Sequence, residues 1–287
     1  MTWPALVLGA LGLCALILFL WRLTDRRADT VVWNRLVGQA GPAGSAFDFS
    51  MIAGLPEPAQ RFFRYAIAPG TRLVTAVEID VTGRLGLGTK EAPGYRAMRA
   101  EQILFPPLGL VWKVSMGSIS GSDAATSHTS WTRFWLLDLI PIVRVSGSAD
   151  HHRSAFGRVV AEGAFWAPAC LLPNGNVTWE AVGANTARAI VAHGAFSQSI
   201  DLTVEPDGRP SRVVIQRWSN ANATKKYREQ PFGGYLSDFR EIGGYQLPMH
   251  VEGGNLIGTG DYFPFYIADV ERIGFPQLAA GSVSTAQ

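Results

Sequence analysis

Val77-Glu78-Ile79-Asp80-Val81-Thr82 alternates apolar and polar side chains residue by residue. This period of two places Val77, Ile79 and Val81 on one face of an extended strand and Glu78, Asp80 and Thr82 on the other, so one face is buried and one is wet. Downstream the pattern continues. Residues 95–105 and 110–116 read as strands around Pro106-Pro107-Leu108-Gly109. After Pro173-Asn174-Gly175 come strand-like runs at 177–182, 187–192, 199–205, 212–218, 233–241, 246–252 and 262–272, with Asp207-Gly208 and Gly243-Gly244 as tight turns. Short strands at regular spacing predict one antiparallel sheet, curved or closed. Residues 131–143 are dense in Trp, Phe, Leu and Ile, and their spacing fits a short helix as well as a buried strand.

Upstream of the first strand the period is helical. Leu55-Pro56-Glu57-Pro58 opens a helix whose Ala59, Phe62, Phe63, Ala66 and Ile67 share a face, and Pro69-Gly70 ends it. A further helix is predicted over 153–167, with Phe156, Val159, Val160, Gly163 and Ala164 at helical spacing and Pro168 as the stop. The fold class expected is therefore mainly β (α+β), a curved antiparallel sheet or half-barrel with two or three covering helices.

Residues 1–21 contain no charged side chain. A helix needs roughly 20 mainly apolar residues to cross a bilayer core. Trp3 and Trp21 bracket the run, about 27 Å apart in a helix, a separation that suits the two headgroup belts. A cleaved signal peptide requires a basic start, a shorter core and a small-residue cleavage site, and none of these is present. The expected organisation is a transmembrane anchor at 1–23, a juxtamembrane helix and linker at 24–54 broken by Gly41-Pro42-Ala43-Gly44-Ser45, a β domain at 55–273 and a flexible tail at 274–287. The expected location is a single-pass membrane protein partnered with the lipid bilayer through that helix. Arg22, Arg26, Arg27 and Arg35 follow the span and nothing basic precedes it, which favours a cytoplasmic domain.

Of the 287 residues 47% are hydrophobic and 17% charged, ample for a large core and contrary to disorder. A formal net charge of +2, without a concentrated basic face, argues against nucleic acid as a partner. With Cys14 in the anchor, Cys170 has no partner for an intradomain disulfide, and a cysteine-based zinc cluster is excluded.

Several short motifs occur in a fixed order. Leu55-Pro56-Glu57-Pro58 is followed by Ala100-Glu101-Gln102-Ile103 and Pro107-Leu108-Gly109-Leu110-Val111-Trp112. Then come Phe165-Trp166-Ala167-Pro168, Leu171-Leu172-Pro173, Val177-Thr178-Trp179, Asp238-Phe239-Arg240 and Gly244-Tyr245-Gln246-Leu247-Pro248. Across about residues 55–273 this order resembles an uncharacterised bacterial family of unknown function, usually anchored by one N-terminal helix. That family is in turn similar to the half-barrel fold of periplasmic lipoprotein carriers, in which a curved sheet wraps an apolar cavity. The resemblance implies a hydrophobic ligand and a periplasmic domain, against the arginines, and it brings no catalytic residue.

Signatures of chemistry are missing from the sequence. His128, His151, His152, His193 and His250 show no zinc-binding spacing, and no metal site or cofactor is expected. No Gly-x-Ser-x-Gly elbow occurs, and Cys170 beside Leu171-Leu172 reads as a small buried hydrophobe. The glycines of 83–88 and 258–260 lie outside any strand–turn–helix unit that cradles phosphate. Glu101, Glu162, Asp238 and Glu241 are single carboxylates without a readable partner. The aromatic content points further. Nine Trp include Trp112, Trp131, Trp135, Trp166, Trp179 and Trp218 in the domain, and these are the candidate lining of a ligand cavity. The expected function is a membrane-tethered, non-catalytic binding protein for a lipid or other hydrophobic ligand. The alternative is an interaction module of the cell envelope; an enzyme requires distant His and carboxylate groups to converge.

Overall fold

In the computed structural model, which describes residues 3–278, one helix, α1 (Trp3–Gln39), runs from the apolar segment into the polar one without a break. An 18-residue window within it has a mean hydropathy of 2.4, and none of that window is buried against the protein. Between residues 13 and 37 there is no Gly or Pro to interrupt it. The chain leaves the helix through Gly41 in the left-handed conformation (φ 63°), followed by Pro42. Helix α2 (Glu57–Ala66) buries Ala59, Phe62, Phe63 and Ala66, the stripe the spacing predicts.

Six strands follow: β1 (Val77–Gly86), β2 (Tyr95–Phe105), β3 (Gly109–Met116), β4 (Ile119–Thr126), β5 (Ser130–Leu136) and β6 (Ile140–Ser146). Helix α3 (Ala149–Trp166) then crosses to β7 (Val177–Gly183), β8 (Thr186–His193), β9 (Phe196–Val204) and β10 (Pro210–Ser219). Finally come β11 (Arg228–Ile242), β12 (Tyr245–Asn255) and β13 (Phe263–Gly274). All thirteen form one antiparallel sheet in the order β6-β5-β4-β3-β2-β1-β13-β12-β11-β10-β9-β8-β7. The first and last strands pair in its middle, with Glu78 opposite Gly274 and Leu85 opposite Tyr266. The edges are β6 and β7, and α3 is the connection between them. It packs on β2–β5 on one side and on β9, β10 and β12 on the other, so the sheet curves around it.

Three local readings change. Residues 131–143, open between helix and strand from spacing, form most of the β5–β6 hairpin. Strand β4, Ile119-Ser120-Gly121-Ser122-Asp123-Ala124-Ala125-Thr126, carries no strand signal in the sequence, because Ser, Gly, Asp and Ala are weak β formers. Packing demands the small residues: a Cβ on Gly121 would lie 2.5 Å from the Phe134 ring. Helix α3 begins at Ala149, four residues before the predicted start, so His151 and His152 sit on it.

Both faces of the β2–β5 region are covered. Outward-facing Ile103, Phe105, Val111, Ala124 and Trp131 cluster with Val32 and Leu36 of α1. Inward-facing Leu104, Leu110, Trp112 and Val114 join the main core with α2 and α3. Gly163 lets α3 approach the β2–β3 turn, since a Cβ there would sit 2.5 Å from the Pro106 ring. Of the segment expected as a tail, Gln277 is buried: its Oε1 accepts from the Thr75 and Ala76 N–H groups at 2.7 and 3.0 Å, and its Nε2 donates to Ala40 O at 3.0 Å. The remainder of that segment, 279–287, lies outside the described residues.

Candidate functional site

Between α3 and the inner face of the sheet lies a cavity of about 300 Å³. Its wall is mostly apolar, with Leu85, Trp112, Phe134, Trp166, Val213 and Phe265 arriving from both halves of the sheet and from α3. Part of the floor has no side chains at all. Gly233, Gly234 and Gly253 line it, and a Cβ on Gly234 would collide with Glu252 O at 1.7 Å. Such a lining, with a few polar groups, is the usual make-up of a small-molecule site, and the volume is at the lower end of the usual range.

The polar groups are gathered at one border. Arg158 of α3 donates through Nη1 to Asp123 Oδ2 (2.8 Å), through Nε to Glu162 Oε1 (2.6 Å) and through Nη2 to Gln102 Oε1 (3.3 Å). Gln102 Nε2 closes the ring by donating to Glu162 Oε2 at 2.6 Å. Burial alone would ease the proton off Arg158, but Glu162 and Asp123 outweigh it and hold the guanidinium above its ordinary value. Arg217 of β10 stands beside this ring. Burial and the neighbouring Arg158 push it down to about 10. A second cavity, also of about 300 Å³ and more polar, shares Asp123, Arg158, Arg217 and Phe265 with the first.

The six domain tryptophans do not gather in one place. Trp112 and Trp166 line the first cavity. Trp179 donates its indole N–H to Leu171 O at 2.9 Å and packs edge-on to Phe63. Trp218 stacks on Tyr227 beneath Arg153 and donates to Asp150 Oδ1 at 2.7 Å. On the outer face, Trp131 donates to Asp29 (3.2 Å) and Trp135 to Asp25 (3.1 Å), so both are part of the α1 junction, although the border of the second cavity also reaches Trp131.

That junction is dense with charge. Arg22, Asp25, Asp29, Val32 and Leu36 form the buried stripe of α1, spaced three and four apart. Asp25 binds Arg144 at 2.6 and 3.1 Å and Arg133 at 3.2 Å, while Arg22 and Arg26 reach Asp138 at 3.0 and 2.8 Å. Burial would raise the Asp25 carboxyl, but Arg144, Arg133 and the Trp135 N–H outweigh it and hold it below the usual carboxylate range. At Asp29 burial prevails over Ser122, Arg133 and Arg22, and the carboxyl is raised. An open groove of about 850 Å³ beside this junction is lined by charges of both signs, unlike the apolar cavity.

The other candidate residues are placed as follows. His152 and His193 border the same crevice, but its volume is about 10 Å³, no more than a water needs. His152 Nε2 is also committed to Thr126 O. His151 bonds Ser130 and Thr132, and His250 pairs with Asp269. Glu101 is exposed and paired with Lys113, as Asp238 is with Arg240. Glu241 caps the Gly244 N–H at 2.7 Å. Among the described residues no three of His, Cys, Asp and Glu are grouped to hold a metal.

Sequence reasoning passed over Asp123, Arg158 and Arg217. The signal for two of them was present. Arg158 and Glu162 are four apart on an apolar helix, and Arg217 continues the inward stripe of Val213 and Ile215, where a charge is out of place.

Among solved structures the chain is similar to a LolA-superfamily protein from Nitrosomonas europaea (10% identity, TM-score 0.44, covering 76% of this chain and 91% of that one). It is also similar to a candidate outer membrane lipoprotein-sorting protein domain from Vibrio parahaemolyticus (11% identity, TM-score 0.36, covering 70% and 85%). No curated protein matches the sequence. Residues 45–267, well over half of the chain, match the profile of the family of unknown function DUF6544, and the chain belongs to that family.

Proposed function

We propose that this protein is tethered to a membrane by residues 3–21 and holds a lipid or other hydrophobic molecule between α3 and its sheet without altering it. The observation that carries the reading is the apolar cavity of about 300 Å³, whose lining includes Gly233, Gly234 and Gly253. A packed interior would fill such a space, because core voids lose contacts on every side. The polar border supports binding over chemistry. Asp123 and Glu162 are both engaged by Arg158, and burial pushes the Cys170 thiol up to about 12, away from thiolate chemistry.

The test is native mass spectrometry of the full-length chain released from detergent, beside Ala161→Phe, which places a ring in the cavity from α3. The wild type is expected to carry lipid adducts and the variant to lose most of them while keeping its melting temperature. Equal adducts on both proteins, or none on the wild type, would refute the reading.

A further inference from the structure

We propose that the cavity takes an amphiphile with a single alkyl chain and an anionic head, a carboxylate or a phosphate monoester, and that Arg217 receives the head. The inference rests on the hydrophobic-ligand reading and narrows it. Arg217 borders both cavities. Its Nε donates to Ser154 O at 3.2 Å and its guanidinium lies over the Phe232 ring at 4.7 Å. Neither Nη donates a hydrogen bond within the described residues, and no carboxylate among them lies within 4.0 Å.

By residue count the two arginines face three carboxylates, but the half-exposed Glu252 lies 3.7 Å from His250, and the arginines cancel the remaining two, Asp123 and Glu162. The geometry is uneven, because Arg158 holds both carboxylates and Arg217 holds neither. An unpaired, largely enclosed cation is unfavourable, and a planar fork of free donors fits a carboxylate or phosphate. A second donor points to the same occupant: the indole N–H of Trp112, 3% exposed and lining the first cavity, has the Tyr266 hydroxyl nearby but makes no close hydrogen bond. Asp123 Oδ1 is the one unpartnered acceptor nearby, and its charge is already offset by Arg158. A volume of about 300 Å³ favours one chain over two.

Three probes with the same tail separate the possibilities: hexadecanoic acid, hexadecyl phosphate and hexadecanol, each titrated against the full-length chain by native mass spectrometry. The wild type is expected to bind one or both anions at least about tenfold tighter than the alcohol, the scale of a hydrogen bond to a charged group. Arg217→Gln should reduce that ratio to about twofold with alcohol binding unchanged, and Arg217→Lys should keep most of it. Preference for the acid or for the phosphate identifies the head. Equal binding of anion and alcohol by the wild type, or an undiminished preference in Arg217→Gln, would overturn the inference and leave the cavity reading standing. Failure of all three probes would remove both.

A separate observation carries a second inference: we infer that the β5–β6 hairpin rests in the same bilayer as the anchor. Leu137 at its turn is 69% exposed, and Ile140, Ile142 and Val143 on the edge strand β6 are 47%, 46% and 39% exposed. Trp21, the ring at the end of the apolar run, meets Trp135 of β5 edge-on at 5.7 Å and lies under Arg144 of β6 at 4.3 Å. Arg22 and Arg26 grip Asp138 beside Leu137. Residues that touch Trp21 share its depth, and a Trp at that point of a span sits at headgroup level.

The test uses the full chain in phosphatidylcholine nanodiscs with Cys14→Ser and one introduced cysteine carrying an environment-sensitive fluorophore. A label at Leu137→Cys should emit to the blue of one at Val182→Cys on the far edge strand and be quenched by brominated lipid. Matching spectra and no quenching at both positions would overturn the inference.

Discussion

On the outer face of the sheet, Trp131 and Trp135 donate their indole N–H groups to Asp29 and Asp25 of α1; on the inner face, Trp112 has no close acceptor, only the Tyr266 hydroxyl nearby. Arginine follows the same contrast. Arg133 and Arg144 converge on Asp25, whereas Arg217 stands beside Arg158 without a carboxylate of its own. The two faces thus combine Trp, Arg and Asp in different states of completion. The outer one pairs its arginines and indoles with carboxylates of the chain itself and locks a helix in place, although Arg22 Nη1 and Arg133 Nη1 make no hydrogen bond. The inner one differs in leaving an apolar cavity beside an arginine without a carboxylate, and the proposed binding site rests on that combination.

The contrast is tested most severely at Asp25. Asp25→Asn should cost about 3–5 kcal/mol, because it strands Arg133 and Arg144 in a buried junction; thermal unfolding of the full chain in detergent would show it as a large drop in melting temperature. Arg158→Gln should cost about 3 kcal/mol by freeing Asp123 and Glu162. Asp29→Asn should stay within about 1 kcal/mol, since burial already works against the Asp29 charge and an amide oxygen can still accept from Ser122 and Trp131. The smallest effect is expected at Arg217→Gln, below about 1 kcal/mol, because no ion pair is lost. A loss of 3 kcal/mol there would mean that the inner face is as complete as the outer.

Acid titration separates the two neighbouring carboxylates by sign. Asp25 is held below its ordinary value of 3.8, so its contribution is present above that pH and drains away as pH falls further. Asp29 is raised, so its ionisation costs stability as pH climbs past 3.8. Denaturation curves should therefore show Asp29→Asn gaining on the wild type as pH rises from about 3.8, and the deficit of Asp25→Asn shrinking as pH falls below it.

Periodicity made much of this molecule legible. The two-residue alternation from Val77 and the three-four stripe of Phe62, Phe63 and Ala66 are enforced by faces that must be buried, and they are found where the pattern places them. Strand β4 was illegible because its neighbours, not its own side chains, keep it extended. The site was harder still. Aromatic content pointed to a cavity, but Trp112 and Trp131 are alike in composition and face opposite ways, and only the register of β3 and β5 decides between them. Arg22 and Arg26 show the converse: basic residues after a span read as a rule of membrane sidedness, yet here both have a structural partner in Asp138.

The unbroken path of α1 has a mechanical consequence. Residues 22–39 climb about 27 Å with no hinge, pinned along the way by Asp25, Asp29 and Gln277. With residues 3–21 in a bilayer, the domain has no slack: it turns with its mast and drifts with it, always at one altitude. Under the proposed binding role, its search for a molecule would be confined to a plane, and local abundance in that membrane, rather than reach, would govern how often the cavity is visited.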